Sequence, residues 1–335
     1  MIRHCPQLRS QLEKIKSLYG DYCLELEKAK TTQEYDTIFN IQKEIESGIK
    51  ELKRNLYPLE NLEQEALEKQ YHKQVEILMF TGLVKKLRMG EMGIVVDGKE
   101  YPIPTFEDIL IKINHNAEFL DKKASQGFKK LLVVPFGLPI TTLVEKYEQV
   151  LLRHYNNQTL LDSEGKPLDL DTNQPVWTWE GYQDEPLVYF PQSFDKDNHQ
   201  GKTKDQLEPW QVLLVEDMID LPKEGDAKDI NGRKQLDANQ TPNSYLEQIL
   251  KAQEQGMTPE SWLLLAITYL EEQNKQIDDY VGKGKASYLP GVFFKDSAEV
   301  QFAYWFRGNR QAVLDGSDAD RSSSNDAVRS SVLIK

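Results

Sequence analysis

At 335 residues the chain can bury a sizeable core, and its length favours about two domains; 39% hydrophobic and 10% aromatic residues mark it as globular. A net charge of −13 argues against nucleic acid or an anionic membrane as the main partner, because both need clustered Lys and Arg. No apolar run reaches membrane-spanning length, no signal-like segment opens the sequence, and two cysteines (Cys5, Cys23) make no disulfide framework, so a cytoplasmic protein is expected.

The first elements are helical. Leu12, Ile15, Tyr19, Tyr22, Leu26 and Ala29 alternate spacings of three and four, the seam of a coiled coil. Thr31 with Glu34 forms a capping box that restarts a helix, whose apolar positions run from Ile38 through Ile41, Ile45, Ile49 and Leu52 to Leu56, before Pro58 stops it. A third helix is expected from about Leu59 to Leu87. Residues 1–90 therefore read as a helical hairpin plus one long helix. They either pack on the rest of the chain or associate, a homo-oligomer through these helices being one outcome.

Residues 91–130 read as a small connector. A β-hairpin over Ile94–Ile103 turns at Asp97-Gly98, and a short helix from Phe106 to Ile113 is capped by Thr105. From residue 131 onward the texture is mixed. Leu131–Val134 is a buried strand, and Thr142 with Glu145 caps a helix over Leu143–His154. The stretch 158–240 is rich in Asp, Asn, Gly and Pro, with aromatic islands at Val176–Trp179, Leu187–Phe190 and Trp210–Val215. Thr241–Gln255 is helical, Thr258-Pro259 opens a further helix, and two strands close the chain. The class is α+β.

Few residues suggest chemistry. Asp169, Asp171, Asn173 and Glu180 match positions of a calcium loop, but Gln174 stands where Gly is needed, so a solvated acidic loop is expected. His4, His72, His115, His154 and His199 are scattered without metal-ligand spacing. Gly282-Lys283-Gly284-Lys285 lacks the features of a phosphate loop, and Glu216-Asp217 after an apolar strand reads as a cap or exposed edge. No catalytic residue, metal or cofactor is expected.

The terminal stretch Phe302–Lys335 is more informative. A hydrophobic strand, Phe302–Phe306, is followed by a run over Asp315–Asp326 built from Asp, Gly, Ser, Ala, Arg and Asn only, then by Val328, Val332 and Ile334. Trp305, Arg310, Gln311, Ala312, Leu314, Val328 and Arg329 read as framework. Tyr304, Phe306, Arg307, Gly308, Asn309, Asp315, Ser317, Asp318, Asp320, Arg321, Ser322 and Ser324 read as a heterogeneous ligand-binding surface. Asp, Ser, Gly, Ala, Arg, Tyr and Phe can all be reached from the Asn codon AAC by changing its two adenines.

The pattern Tyr304-Trp305, Arg310-Gln311-Ala312, Leu314 and Val328–Val332 resembles the C-terminal variable region of diversity-generating retroelement target proteins. The resemblance implies a C-type lectin-like domain of the formylglycine-generating-enzyme type over residues 131–335, with a variable region at 302–335. It further implies a binding protein whose surface is diversified by adenine-directed mutagenesis and whose ligand is a protein or other macromolecule. The sugar-binding motifs of calcium-dependent lectins and the C-terminal Cys pair of the enzyme relatives are both missing. The alternative reading is an interaction protein acting through its N-terminal helices, with the C-terminal domain a fixed accessory.

Overall fold

The computed structural model describes residues 6–29, 32–56, 59–280 and 284–335, and it divides into two compact units, 1–60 and 61–335. The first unit pairs α1 (Pro6–Lys28) with α2 (Thr32–Leu56). A Cβ on Gly48 would lie 3.0 Å from Ile15, so the glycine lets the end of one helix approach the start of the other in an antiparallel hairpin. Of the expected seams, Leu12, Ile15, Tyr22 and Ala29 of the first and Ile38, Ile41 and Ile45 of the second are at least partly buried. Tyr19, Leu26, Tyr35 and Phe39 stay exposed. Thr31 and Pro58, the expected cap and stop, lie outside the described residues, as do Gly282 and Lys283.

The second unit opens with α3 (Gln64–Phe80), shorter than the expected Leu59–Leu87. The Thr81 hydroxyl donates to the Ile77 carbonyl at 2.7 Å and Gly82 takes φ +69°, which together end the helix. Helix α3 belongs with the larger compact unit, which begins at residue 61. β1 (Lys85–Lys86), β2 (Met92–Val96) and β3 (Lys99–Pro102) form a small sheet. Its hairpin turns at Asp97 (φ 49°) and Gly98 (φ 76°), two left-handed residues in succession, as a two-residue turn between twisted strands requires. α4 (Phe106–His115) carries the full Thr105–Asp108 capping box, and α5 (Ala117–Ser125) follows.

β4 (Phe128–Val134) is buried at all but one position. α6 (Ile140–Asn156) starts earlier than the expected cap at Thr142, directly after Pro139. The aromatic islands become β5 (Val176–Thr178), β6 (Leu187–Tyr189) and β7 (Gln211–Glu216), with α7 (Gly181–Asp184) between the first two. A short hairpin, β8 (Asp229–Ile230) with β9 (Arg233–Lys234), precedes α8 (Pro242–Lys251). That helix stops short of Gln255, which pairs instead in β10 (Gln255–Gly256). α9 (Pro259–Gln273) is capped by Thr258 with Pro259 in its first turn, and it is buried without interruption from Pro259 to Leu270.

Five strands, not two, close the chain: β11 (Ala286–Phe294), β12 (Val300–Phe306), β13 (Gln311–Ser317), β14 (Asp326–Val328) and β15 (Ser330–Leu333). They divide between two sheets. One has the order β10-β15-β7-β4; the other runs β14-β11-β12-β13-β5, with β6 also paired to β11. β14 and β15 are separated by Arg329 alone, so the chain passes from one sheet to the other across this residue. α9 packs against α6, β4, β11 and β12. The edge strand β4 is covered by α3, where Gln70 Oε1 accepts from the Leu131 N–H at 2.8 Å. The α+β class holds. Among the described residues no helix is long and apolar enough to cross a membrane.

Candidate ligand-binding surface

Strands β12 and β13 build the surface through the two-residue period of a strand. Ala303 and Trp305 lie opposite Leu314 and Ala312, and all four are fully buried. The intervening residues point the other way. Phe302, Tyr304 and Phe306 are half-buried and stand opposite Asp315, Val313 and Gln311. Phe302 and Tyr304 stack with ring centroids 5.4 Å apart, and Tyr304 meets Phe306 at 6.1 Å. Tyr280 joins them, 5.2 Å from Tyr304 and 6.3 Å from Phe306. At the other end Tyr288 meets Phe302 at 5.9 Å and is covered by Tyr245 of α8. The result is a continuous aromatic row, roofed at one end and open at the other.

The electrostatics of the row are acidic. Burial, followed by the carboxylate of Asp315, pushes the Tyr304 phenol up to about 12. Burial also raises Asp315, with Arg321 acting in the opposite sense. Asp326, raised by burial, accepts from the Tyr288 hydroxyl at 3.2 Å. Among the described residues the hydroxyls of Tyr280 and Tyr304 make no hydrogen bond, and the Arg321 guanidinium makes neither a hydrogen bond nor an ion pair.

The loop after β13 is exposed but tied. Asp318 accepts from the Asp320 N–H at 2.8 Å, and Asp320 accepts from Asn243 Nδ2 at 2.8 Å. The Arg321 carbonyl takes the Tyr288 hydroxyl at 3.3 Å. Asp318, Asp320, Arg321, Ser322, Ser324 and Asn309 face solvent as expected. Gly308 lies over the Phe306 ring, which a Cβ would approach to 2.9 Å.

Two expectations are corrected, for Ser317 and Arg310, and a third residue, Arg307, is more constrained than expected. Ser317 is 4% exposed; it stands opposite buried Val300, and Ala319, two positions on, packs against the core cluster that includes Val300. Arg307 faces solvent as expected, but its guanidinium is tied to the fold. Its Nε donates to Asp279 at 2.9 Å and its Nη2 to Asp162 at 2.8 Å, and both carboxylates are buried. Burial would raise Asp162, yet the Lys166 N–H and the Arg307 guanidinium together hold it below the ordinary range. Arg310, expected in the framework, is exposed instead and pairs with exposed Asp169 at 2.9 Å. Both arginines are thus exposed and ion-paired, but Arg307 pairs with buried carboxylates and Arg310 with an exposed one.

Other framework residues stand as expected. Trp305, Ala312, Leu314 and Val328 are buried. Arg329 is buried at the crossing between the sheets, donating to both oxygens of Asp278 and to the carbonyls of Met218 and Ile219 at 2.7 and 2.6 Å. Burial opposes its charge and Asp278 more than restores it. Tyr280 and Phe302 are the members of the row that sequence reasoning missed. Phe302 could have been found from its parity with Tyr304 and Phe306, whereas Tyr280 reaches the row only through the fold, by its N–H bond to the Trp305 carbonyl at 3.1 Å.

The remaining candidates have structural partners. Asp169 is held by Tyr155 and Arg310, and Asp171 accepts from the Asn173 N–H. Glu216 binds Arg233 and Gln235, and Asp217 takes the Tyr269 hydroxyl at 2.6 Å. His154 is pushed down to about 4 by burial and by Arg153, and His199 Nδ1 accepts from the Gly201 N–H. Among the described residues no three His, Cys, Asp or Glu side chains converge as metal ligands. No family model matches the chain, and neither a curated protein nor a solved structure is similar to it.

Proposed function

We propose that the chain is a binding protein that presents the outer face of β12–β13, with the loop that follows, to a macromolecular partner. The observation that carries this reading is the half-buried aromatic row with unbonded tyrosine hydroxyls, laid on strands whose opposite face is fully buried. A rigid backing limits the conformational entropy lost on binding, and amphipathic rings supply contact area at few torsions per residue. The exposed positions Asn309, Asp318, Arg321, Ser322 and Ser324 tolerate replacement at little cost to the fold.

This pattern supports the resemblance to diversity-generating retroelement variable proteins with a C-type lectin-like domain, acting by binding and not by catalysis, in the cytoplasm. On that reading Tyr304, Phe306, Asp315 and the exposed loop residues are the diversified ligand contacts. Arg307 and Ser317 are kept constant by their buried surroundings. The test is at the level of the genome. An imperfect copy of the coding segment for residues 302–335, differing at adenines and lying beside a reverse transcriptase gene, is expected. Its absence from a complete genome would count heavily against diversification.

A second reading assigns the function to the N-terminal hairpin. Exposed Tyr19, Leu26, Tyr35 and Phe39 favour it, since a two-helix unit leaves that apolar surface without a partner. Sedimentation of the full chain, compared with a Tyr19→Glu, Leu26→Glu variant, tests it. A parent oligomer that dissociates in the variant supports association through these helices, and a monomeric parent removes it.

A further inference from the structure

The aromatic row has acidic borders, and this combination narrows the class of partner. Asp315 stands directly opposite Phe302 in the strand register, and its carboxylate accepts only the neighbouring Gly316 N–H at 2.8 Å. The Asp318 carboxylate accepts only the N–H of Asp320 in its own loop. Neither has a cation within ion-pair distance among the described residues. Glu299, at the start of the same strand pair, is raised first by burial and then by Asp315, Glu185 and Asp318, so these carboxylates lie close enough to repel one another. They do not gather into a metal site. A spread group of carboxylates without ion-pair partners, along half-buried aromatic rings, suits an extended organic cation better than a point ion.

We propose that the occupant of this face is a basic segment of a partner protein, with an arginine or lysine side chain laid against Tyr304 and Tyr280 and its charge met by Asp315, while Asp318, beyond the Val300–Ser317 pair, meets a second cation of the same segment. The inference rests on the binding-surface reading above. Ring faces attract guanidinium and ammonium groups, and the attraction grows as the site is desolvated. The rings of Tyr280 and Tyr304, 5.2 Å apart and already half-buried, provide such a site. Arginine suits it best, because its planar head can stack on a ring while its N–H groups reach a carboxylate. Arg321 is the resident competitor. Its unpaired guanidinium acts on both Asp315 and Asp326, and an incoming cation displaces it from their field.

The chain carries a net charge of −13 and attracts any polycation weakly, so the test must separate the face from the bulk charge. A random twelve-residue peptide library displayed on phage is selected on the full chain and counter-selected on its Tyr304→Ala variant. Synthetic versions of the enriched peptides are then titrated by fluorescence anisotropy. The expected peptides are rich in Arg and Lys, and bind about tenfold more weakly to Tyr304→Ala and to Asp315→Asn. Arg321→Gln binds them several-fold more tightly, and Glu76→Gln, on α3, leaves binding unchanged. Asp315→Asn is nearly isosteric and keeps the test valid if the Tyr304 variant fails to fold by circular dichroism. If Tyr304-dependent peptides lack an excess of Arg and Lys, or if Arg321→Gln weakens them, the basic partner is overturned while the binding surface stands. If no enriched peptide depends on Tyr304 or Asp315, both inferences fall.

Discussion

Two regions of the terminal domain are built from the same residue types and use them in opposite ways. In one, the buried carboxylates of Asp162, Asp278 and Asp279 are each bound by an arginine, Arg329 from within the core and Arg307 from its surface. In the other, Asp315, Asp318 and Arg321 stand close to one another with no ion pair between them. Composition does not separate the two regions; burial does. A paired charge in a dry interior becomes a structural fixture, because removing one partner leaves the other uncompensated. The same charge at the surface is screened and replaceable.

The largest effect should come from the crossing between the sheets. Arg329→Met strands Asp278, and roughly 3–5 kcal/mol of stability should be lost in urea unfolding. Adding Asp278→Leu should recover only part of that loss, since it removes the stranded charge but leaves the Trp262 indole N–H and the Met218 and Ile219 carbonyls without their partners. Arg307→Ala should cost somewhat less, about 2–3 kcal/mol, because water can reach its partly exposed guanidinium site. Arg310→Ala, three positions away, should change stability by less than about 0.5 kcal/mol. Equal costs for Arg307→Ala and Arg310→Ala would erase the distinction between the two regions.

Smaller effects sharpen the second region. Burial lifts the Asp315 pKa above its unfolded value of about 3.9. Between those two pKa values the native state binds more protons than the unfolded state. The contribution of Asp315 to stability therefore falls as pH rises through that window. Asp315→Asn removes this slope, so the stability of the variant relative to the parent should increase from pH 4 to pH 7 in matched urea titrations. Ser322→Tyr and Ser324→Tyr should leave the unfolding midpoint unchanged within about 0.5 kcal/mol, as exposed loop positions do.

Elements specified by local chemistry were legible from sequence. The Asp97-Gly98 turn, the Thr105 cap and the Thr258-Pro259 helix start each depend on residues within a few positions, and each is where the spacing placed it. The alternation along β12 was legible for the same reason, and it put Tyr304 and Phe306 on one face. What was not legible depends on partners distant in the chain. Arg307 is claimed by Asp162, 145 residues earlier, and Arg310 by Asp169, 141 residues earlier. One carboxylate is buried and the other exposed, and nothing near either arginine announces the difference. Ser317 was misplaced for a related reason, since it stands opposite Val300, which is buried in a cluster with the distant Phe194 and Leu246.

The position of β15 bears on synthesis. It lies between β10 and β7, and Ile334 still donates its N–H to the Val212 carbonyl at 2.9 Å. The four-stranded sheet therefore cannot close until residues up to 334 have emerged from the ribosome. Until then, β7 presents an open, apolar edge. Release of a chain stalled even a few codons earlier would yield an aggregation-prone species, not a shortened native one.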